Sequence, residues 1–321
     1  MIPAGTKPMR HFLDIADWGP DELLDLLNLA TDLKKEWLSG GNQPFLQGRV
    51  LGMVFQKPSL RTRVSFEVGM LHLGGQALYL SPTEIGLGKR ESIGDVAQVL
   101  SRYVQGIMAR VFDHAHVVEL ARYARVPVIN GLSDYNHPCQ ALADMLTIKE
   151  HLGRIAGLKI AYVGDGNNVA TSLLMASAKL GAHFAIATPR DYALPAEVVE
   201  RARAFALASG CQITLTTEPA AAAQNADVVY TDTWISMGQE GETEKRRLAF
   251  PPYQVNRALV ESGQPHCIVM HCLPAHRGEE ITNEVADGPR SVLFEQAENR
   301  LHAQKAILVR LMANSSTVSA Q

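Results

Sequence analysis

The chain has 321 residues, 46% hydrophobic and 20% charged, with a formal net charge of -3. At roughly 100–200 residues per domain that makes about two globular domains, and it excludes a low-complexity or disordered polymer. The charge leaves no basic footprint for nucleic acid, and four scattered cysteines (Cys139, Cys211, Cys267, Cys272) make no disulfide framework.

The N-terminal MIPAGTKPMRHF lacks the apolar core of a signal peptide. No apolar run approaches the ~18 residues of a membrane span, so a cytoplasmic chain is expected. Short apolar runs then alternate with stretches of helical period, the pattern of a parallel α/β sheet. In the first half these runs are Val50–Phe55, Gln76–Leu80, 106–111 and 126–129. A helix is expected over 59–73, with Leu60, Val64, Val68 and Leu71 as its apolar stripe and Gly74-Gly75 as its stop. Another is expected over 137–152, with Pro138 at its first position and Gly153 at its end.

The turn at 153–157 divides the chain into a first domain (1–153) and a second (154–292). The second half has apolar runs at Lys159–Val163, His183–Ala187, 212–215, 227–231 and 267–270. A last helix, 293–312, is expected to pack back on the first domain. The expected fold is α/β: two parallel-sheet domains with helices on both faces and an active site in the cleft between them. The stretch 235–252 has no clear period and many charges, so it reads as a solvated insertion or a lid.

Ligands of open α/β sheets sit at the carboxyl ends of strands, which makes the segments after each run the candidates. Ser59 can cap a helix whose first N–H groups bind an anion, with Arg61 in the first turn to fork onto phosphate oxygens. Arg63, about 200° round the helix and four residues before Glu67, reads instead as an ion-pair partner. Arg110 closes the third run. His137 and Gln140 share a face at a second helix mouth, as a cap or as ligands of a carbonyl or phosphate oxygen.

Gly164-Asp165-Gly166-Asn167-Asn168-Val169 has Val169 where a dinucleotide site has its third glycine, and it lacks the acidic residue ~20 positions on. Asn167 and Asn168 offer amides for a carboxylate or an amino-acid backbone instead. The histidines and cysteines between His266 and His276 contain no C-x₂-C pair, so no metal site is expected. His114 and His116 read as surface residues.

Taken in order, SLRTR (59–63), HPCQALAD (137–144), GDGNN (164–168), DTWISMGQE (232–240), HCLPAHRGEEIT (271–282) and FEQAENRLHAQKA (294–306) span almost the whole chain. Together they resemble the aspartate/ornithine carbamoyltransferase family, and HCLP with the SMG loop resembles its ornithine branch. The resemblance implies a carbamoyl-phosphate domain, an ornithine domain and a homotrimer, with citrulline and phosphate as products and no cofactor. It places Ser59, Leu60, Arg61, Thr62, Arg110, His137, Gln140, Cys272, Leu273 and Arg300 around carbamoyl phosphate, with Arg61, His137 and Cys272 as the catalytic set. It places Asn168, Asp232, Ser236 and Met237 around ornithine. Two positions depart from the family pattern. Leu60 replaces a threonine, and Gly86 stands where many relatives carry a glutamine reaching a neighbouring subunit, with Lys89 nearby as a replacement contact.

Overall fold

The computed structural model describes residues 9–235 and 240–314. The N-terminal residues read for a signal peptide lie mostly outside this range, as do Ser236 and Met237. Among the described residues nine strands form two parallel sheets. The first holds β1 (Val50–Phe55), β2 (Gln76–Leu80), β3 (Gly106–Arg110) and β4 (Val128–Leu132) in the order β2-β1-β3-β4. The second holds β5 (Lys159–Val163), β6 (His183–Ala187), β7 (Ile213–Thr216), β8 (Val228–Thr231) and β9 (Ile268–His271) in the order β7-β6-β5-β8-β9.

Strand order reverses between β1 and β3, where Phe55 pairs with Arg110, and between β5 and β8, where Tyr162 pairs with Tyr230. A crevice opens at the carboxyl end of each reversal, and both crevices receive the polar segments. Helices cover both faces, so the central strands are buried almost throughout. One apolar cluster runs from Met53 and Phe55 of the first sheet to Ile160 and Tyr162 of the second. Each fully buried Phe, Leu or Ile in it contributes about 1.5–3 kcal/mol.

The fourth strand lies at 128–132 rather than 126–129. Pro127 has no N–H to give the ladder, and its carbonyl takes the Ile107 N–H at 2.9 Å just ahead of the strand. The helix Leu60–His72 also buries a different face from the one its sequence suggests. Leu60, Val64 and Leu71 are exposed, while Thr62, Phe66, Gly69 and Met70 face inward. Gly69 lies against the helix Leu293–Met312, where a Cβ would stand 3.5 Å from Lys305 Cγ, an ordinary contact distance. That last helix packs against Leu60–His72, Pro20–Leu38 and Pro138–Leu152.

Candidate active site

A cavity of about 230 Å³ lies where the carboxyl ends of the two sheets face each other. Ser59, Arg61, Thr62, Arg110, His137, Gln140, Asn168, Asp232, Cys272, Leu273 and Arg300 line it. Leu60 does not: its side chain is 75% exposed on the outer face of its helix, and only its backbone belongs to the helix mouth. Ser236 and Met237 lie outside the described residues. Lys57, Leu132, Thr233 and His276 also line the cavity and were not singled out from sequence. Their signal was position alone, since each follows or ends a strand at the same sheet edge.

The anion side is built on the first sheet. Ser59 caps the helix Leu60–His72, its Oγ accepting the Thr62 N–H. Thr62 Oγ1 then accepts from Arg110 Nη1 and from Arg300 Nη2, each at 3.4 Å, which draws two guanidiniums to one hydroxyl. Arg61 points into the same space. Among the described residues none of the three forms an ion pair. Burial, with Arg300 and Arg61 nearby, pulls Arg110 down to about 10. Burial and then the three arginines hold the His137 imidazole well below its usual value. His137 is therefore a neutral ring beside a cationic hole. Its backbone N–H is fixed by Ser172 Oγ at 2.8 Å, and its buried Nδ1 has no partner among the described residues. By contrast, Arg63 is turned away, pairing with Glu67 at 3.1 Å and lying over the Tyr79 ring.

The opposite wall belongs to the second sheet. Asn167 caps the helix Asn168–Leu180, its Oδ1 accepting from Val169 and Ala170, while its Nδ2 donates to Asp232 Oδ2 at 2.7 Å. Asn168 Nδ2 donates across the cleft to the Ser133 carbonyl at 2.6 Å. The Cys272 thiol donates to Asp232 Oδ1 at 2.9 Å. Burial, and then the Asp232 carboxylate, raises that thiol well above its usual value, so it stays protonated. The turn after β9 is held by His271. Its Nδ1 accepts the Leu273 N–H at 2.9 Å, which leaves Nε2–H to face buried Glu280 at 3.0 Å. Leu273 sits at φ +57, a conformation the surrounding hydrogen bonds must enforce.

Asp232, His271 and Cys272 bring ligand-type atoms within 4.8 Å of one another. Each of these atoms is already committed to a neighbour in the chain. His114 and His116, read as surface residues, are half-buried and bond Ser133 and Gln56 at the edge of the first crevice. The second glycine of GDGNN has a packing role. A Cβ on Gly166 would stand 2.5 Å from the Leu194 nitrogen, so that glycine admits the 193–194 backbone.

The stretch 235–252 is less irregular than its sequence suggests, since Thr243–Ala249 is a helix. Arg246 on that helix pairs with Asp165 at 2.8 Å and donates to the Trp234 carbonyl at 2.9 Å. Both side chains are buried, and the guanidinium lies over the Tyr192 ring.

Two family descriptions divide the chain between them. Residues 10–150 match the carbamoyl-P binding domain of aspartate/ornithine carbamoyltransferases, and residues 156–311 match the Asp/Orn binding domain. The ornithine carbamoyltransferase of Anoxybacillus flavithermus is 54% identical over 303 residues, covering 94% of this chain and 96% of that protein. The chain belongs to the aspartate/ornithine carbamoyltransferase family. An anabolic ornithine carbamoyltransferase of Pyrococcus furiosus is also 54% identical, over 94% of this chain and 96% of its own length. The solved ornithine carbamoyltransferase structure from that organism superposes with a TM-score of 0.92, covering 94% and 97% of the two chains. The carbamoyltransferase from Giardia lamblia, at 35% identity, still superposes at 0.86 over 95% and 99%. Within this carbamoyltransferase framework Gly86 has a local reason. It sits at φ +50 closing a short turn, and a Cβ there would stand 2.8 Å from Arg90 Cβ.

Proposed function

We propose that the chain is an ornithine carbamoyltransferase, moving the carbamoyl group of carbamoyl phosphate to the δ-amine of L-ornithine, a step of arginine metabolism. One observation carries this reading: three guanidiniums with no ion pair among the described residues converge on a capped helix start and face an acid–amide pair across a single small cavity. The first is an electrophile site for a phosphate ester or anhydride, and the second grips an amino-acid head group. The division follows the sheets, with residues 1–153 and the helix Leu293–Met312 serving carbamoyl phosphate and residues 154–292 serving ornithine.

Carbamoyl phosphate is a mixed anhydride and is already activated, so the chemistry calls for neither metal nor organic cofactor. Arg61, Arg110 and Arg300, with Ser59, Thr62 and the backbone at Leu60, hold the phosphate and neutralise it as it leaves. Neutral His137, with Thr62, polarises the carbonyl whose oxygen gains charge during attack, while Gln140 presents its Oε1, an acceptor, to this side of the cavity and holds Arg300. Asp232 takes the α-ammonium of ornithine, and Asn168 its α-carboxylate, with Ser236 and Met237 completing the grip. The δ-amine, with a free pKa near the lysine value of about 10.4, is deprotonated as it is desolvated beside the arginines. Its nitrogen attacks the carbamoyl carbon, the bond to the phosphate oxygen breaks, and the departing phosphate takes the proton. The protonated Cys272 thiol orients the amine alongside Leu273 and forms no covalent intermediate.

The assembly is a homotrimer on this reading. Leu60, Val64 and Leu71, exposed on the single chain, would be covered by a second copy. Sedimentation at micromolar concentration should give three times the chain mass, and a monomer would contradict it. No helix among the described residues is long and apolar enough to cross a membrane, consistent with a cytoplasmic enzyme. The activity is tested by colorimetric detection of the ureido product with ornithine, putrescine, N-acetylornithine and aspartate offered separately. Product with ornithine is expected. Product only with putrescine or N-acetylornithine would overturn the role given to Asp232.

A further inference from the structure

We propose that Asp144 is a positioning residue for the anion site: it sets which way the Gln140 side-chain amide points and thereby places Arg300. The proposal rests on the reading of that part of the cavity as the carbamoyl-phosphate site.

Asp144 lies one turn after Gln140 on the helix Pro138–Leu152 and is fully buried. Its Oδ1 accepts from Gln140 Nε2 and from Gln296 Nε2, both at 2.8 Å, and its Oδ2 meets the Tyr230 hydroxyl at 3.1 Å. An amide side chain has two ends of similar shape and opposite hydrogen-bonding sense. With an acceptor fixed against one end of Gln140, the NH₂ must face Asp144 and the carbonyl must face the cavity side. There Gln140 Oε1 accepts from Arg300 Nη1 at 2.7 Å. The same guanidinium reaches Thr62 through its other terminal nitrogen. If Gln140 turned over, its NH₂ would oppose the Arg300 N–H groups, and Arg300 would lose its anchor on that side.

The second arm follows the same logic. Gln296 gives its NH₂ to Asp144 and Tyr230, so its Oε1 is free to accept the His271 N–H at 2.8 Å. His271 immediately precedes Cys272. One carboxylate oxygen therefore orients two amides, one leading to the arginines and one to the turn that carries the thiol. Oδ1 accepts in either protonation state of Asp144, because a proton on Oδ2 would simply face Tyr230. What matters is the acceptor and not the charge.

Two substitutions separate these. Asp144→Leu keeps similar bulk and accepts nothing. Asp144→Asn can keep its oxygen toward the two amides and turn its NH₂ to Tyr230. Titration calorimetry with inorganic phosphate, alongside KM for carbamoyl phosphate, reads the consequence. In Asp144→Leu the phosphate Kd should rise about tenfold or more, while in Asp144→Asn it should stay within about threefold. A folded Asp144→Leu chain with unchanged phosphate binding would overturn the proposal, as would an Asp144→Asn chain as impaired as Asp144→Leu. If Asp144→Leu fails to fold, Tyr230→Phe decides. It removes the hydroxyl that steadies Oδ2 and that also accepts from Gln296 Nε2, and should weaken phosphate about threefold; no change would refute the idea. Phosphate affinity decides on Asp144 even in a chain that makes no citrulline, an outcome that would refute the transfer reaction instead.

Discussion

At the cavity, burial and neighbouring charges shift Arg110, His137, Cys272 and Arg300. Arg61, Arg110 and Arg300 share one small volume without a carboxylate partner among the described residues, so an arriving dianion relieves their repulsion. Arg61→Ala should lower kcat/KM for carbamoyl phosphate about 10²-fold or more, read by steady-state kinetics. Asp232→Ala should act on the other substrate, raising the KM for ornithine about tenfold or more with carbamoyl phosphate little affected. His137 is a further case. Buried and ringed by arginines, it should remain neutral, and its ring resonances should show no titration between about pH 5.5 and 8 by NMR. A midpoint near the free-histidine value would mean that the cationic hole is not where it has been placed. Much of this site was readable from sequence because Ser59, Arg61, His137, Asp232 and Cys272 all follow apolar runs. Asp144 was not, since a carboxylate on an apolar helix reveals its role only through partners 86 and 152 residues away.

Among the elements, strand positions were largely legible because buried parallel strands are short apolar runs. The helix Pro20–Leu38 was not among the expected elements, although Leu23, Leu26, Leu27, Ala30 and Leu33 stand at helical spacing, because it carries no chemistry that would single it out. The helix Thr243–Ala249 was hidden for a physical reason. Seven residues have weak helical preference in isolation, and this one is held by the buried Arg246–Asp165 pair and by aromatic rings. Arg246 thereby ties the helix Thr243–Ala249 to Asp165 of the GDGNN turn and to the Trp234 carbonyl, two residues after Asp232. Removing one partner leaves a buried charge uncompensated, so Arg246→Ala should cost about 3–5 kcal/mol. It should also raise the KM for ornithine while that for carbamoyl phosphate stays unchanged. Chemical denaturation and two-substrate kinetics test both parts. Equal loss toward both substrates would show that the helix supports the fold alone.

Across the whole molecule, buried acids and histidines set the pH response in opposite directions. Burial raises Asp144 to about 7 and Asp165 to about 6, so these groups hold protons more tightly folded than unfolded. Their contribution is fully present below about pH 4 and is lost as pH rises toward 6–7. Burial lowers His302 to about 3 and lowers His137 as well, so these contribute stability above about pH 6.5 that is lost on acidification. The two sets offset each other through the mildly acid range. Removing one acid should expose the other set: relative to wild type, Asp144→Asn should gain melting temperature as pH rises from about 4.5 to 7.5. A relative loss over that range would mean that the Asp144 carboxylate is stabilised by its surroundings.

The two sheets each bring one crevice to the cavity, which suits a reaction in which two substrates meet between them. The most direct test is to supply the purified chain with carbamoyl phosphate and L-ornithine and to follow citrulline and phosphate together. Equal amounts of both, dependent on ornithine, are the predicted result. Phosphate released without citrulline, or no product at all, would contradict the transfer reaction.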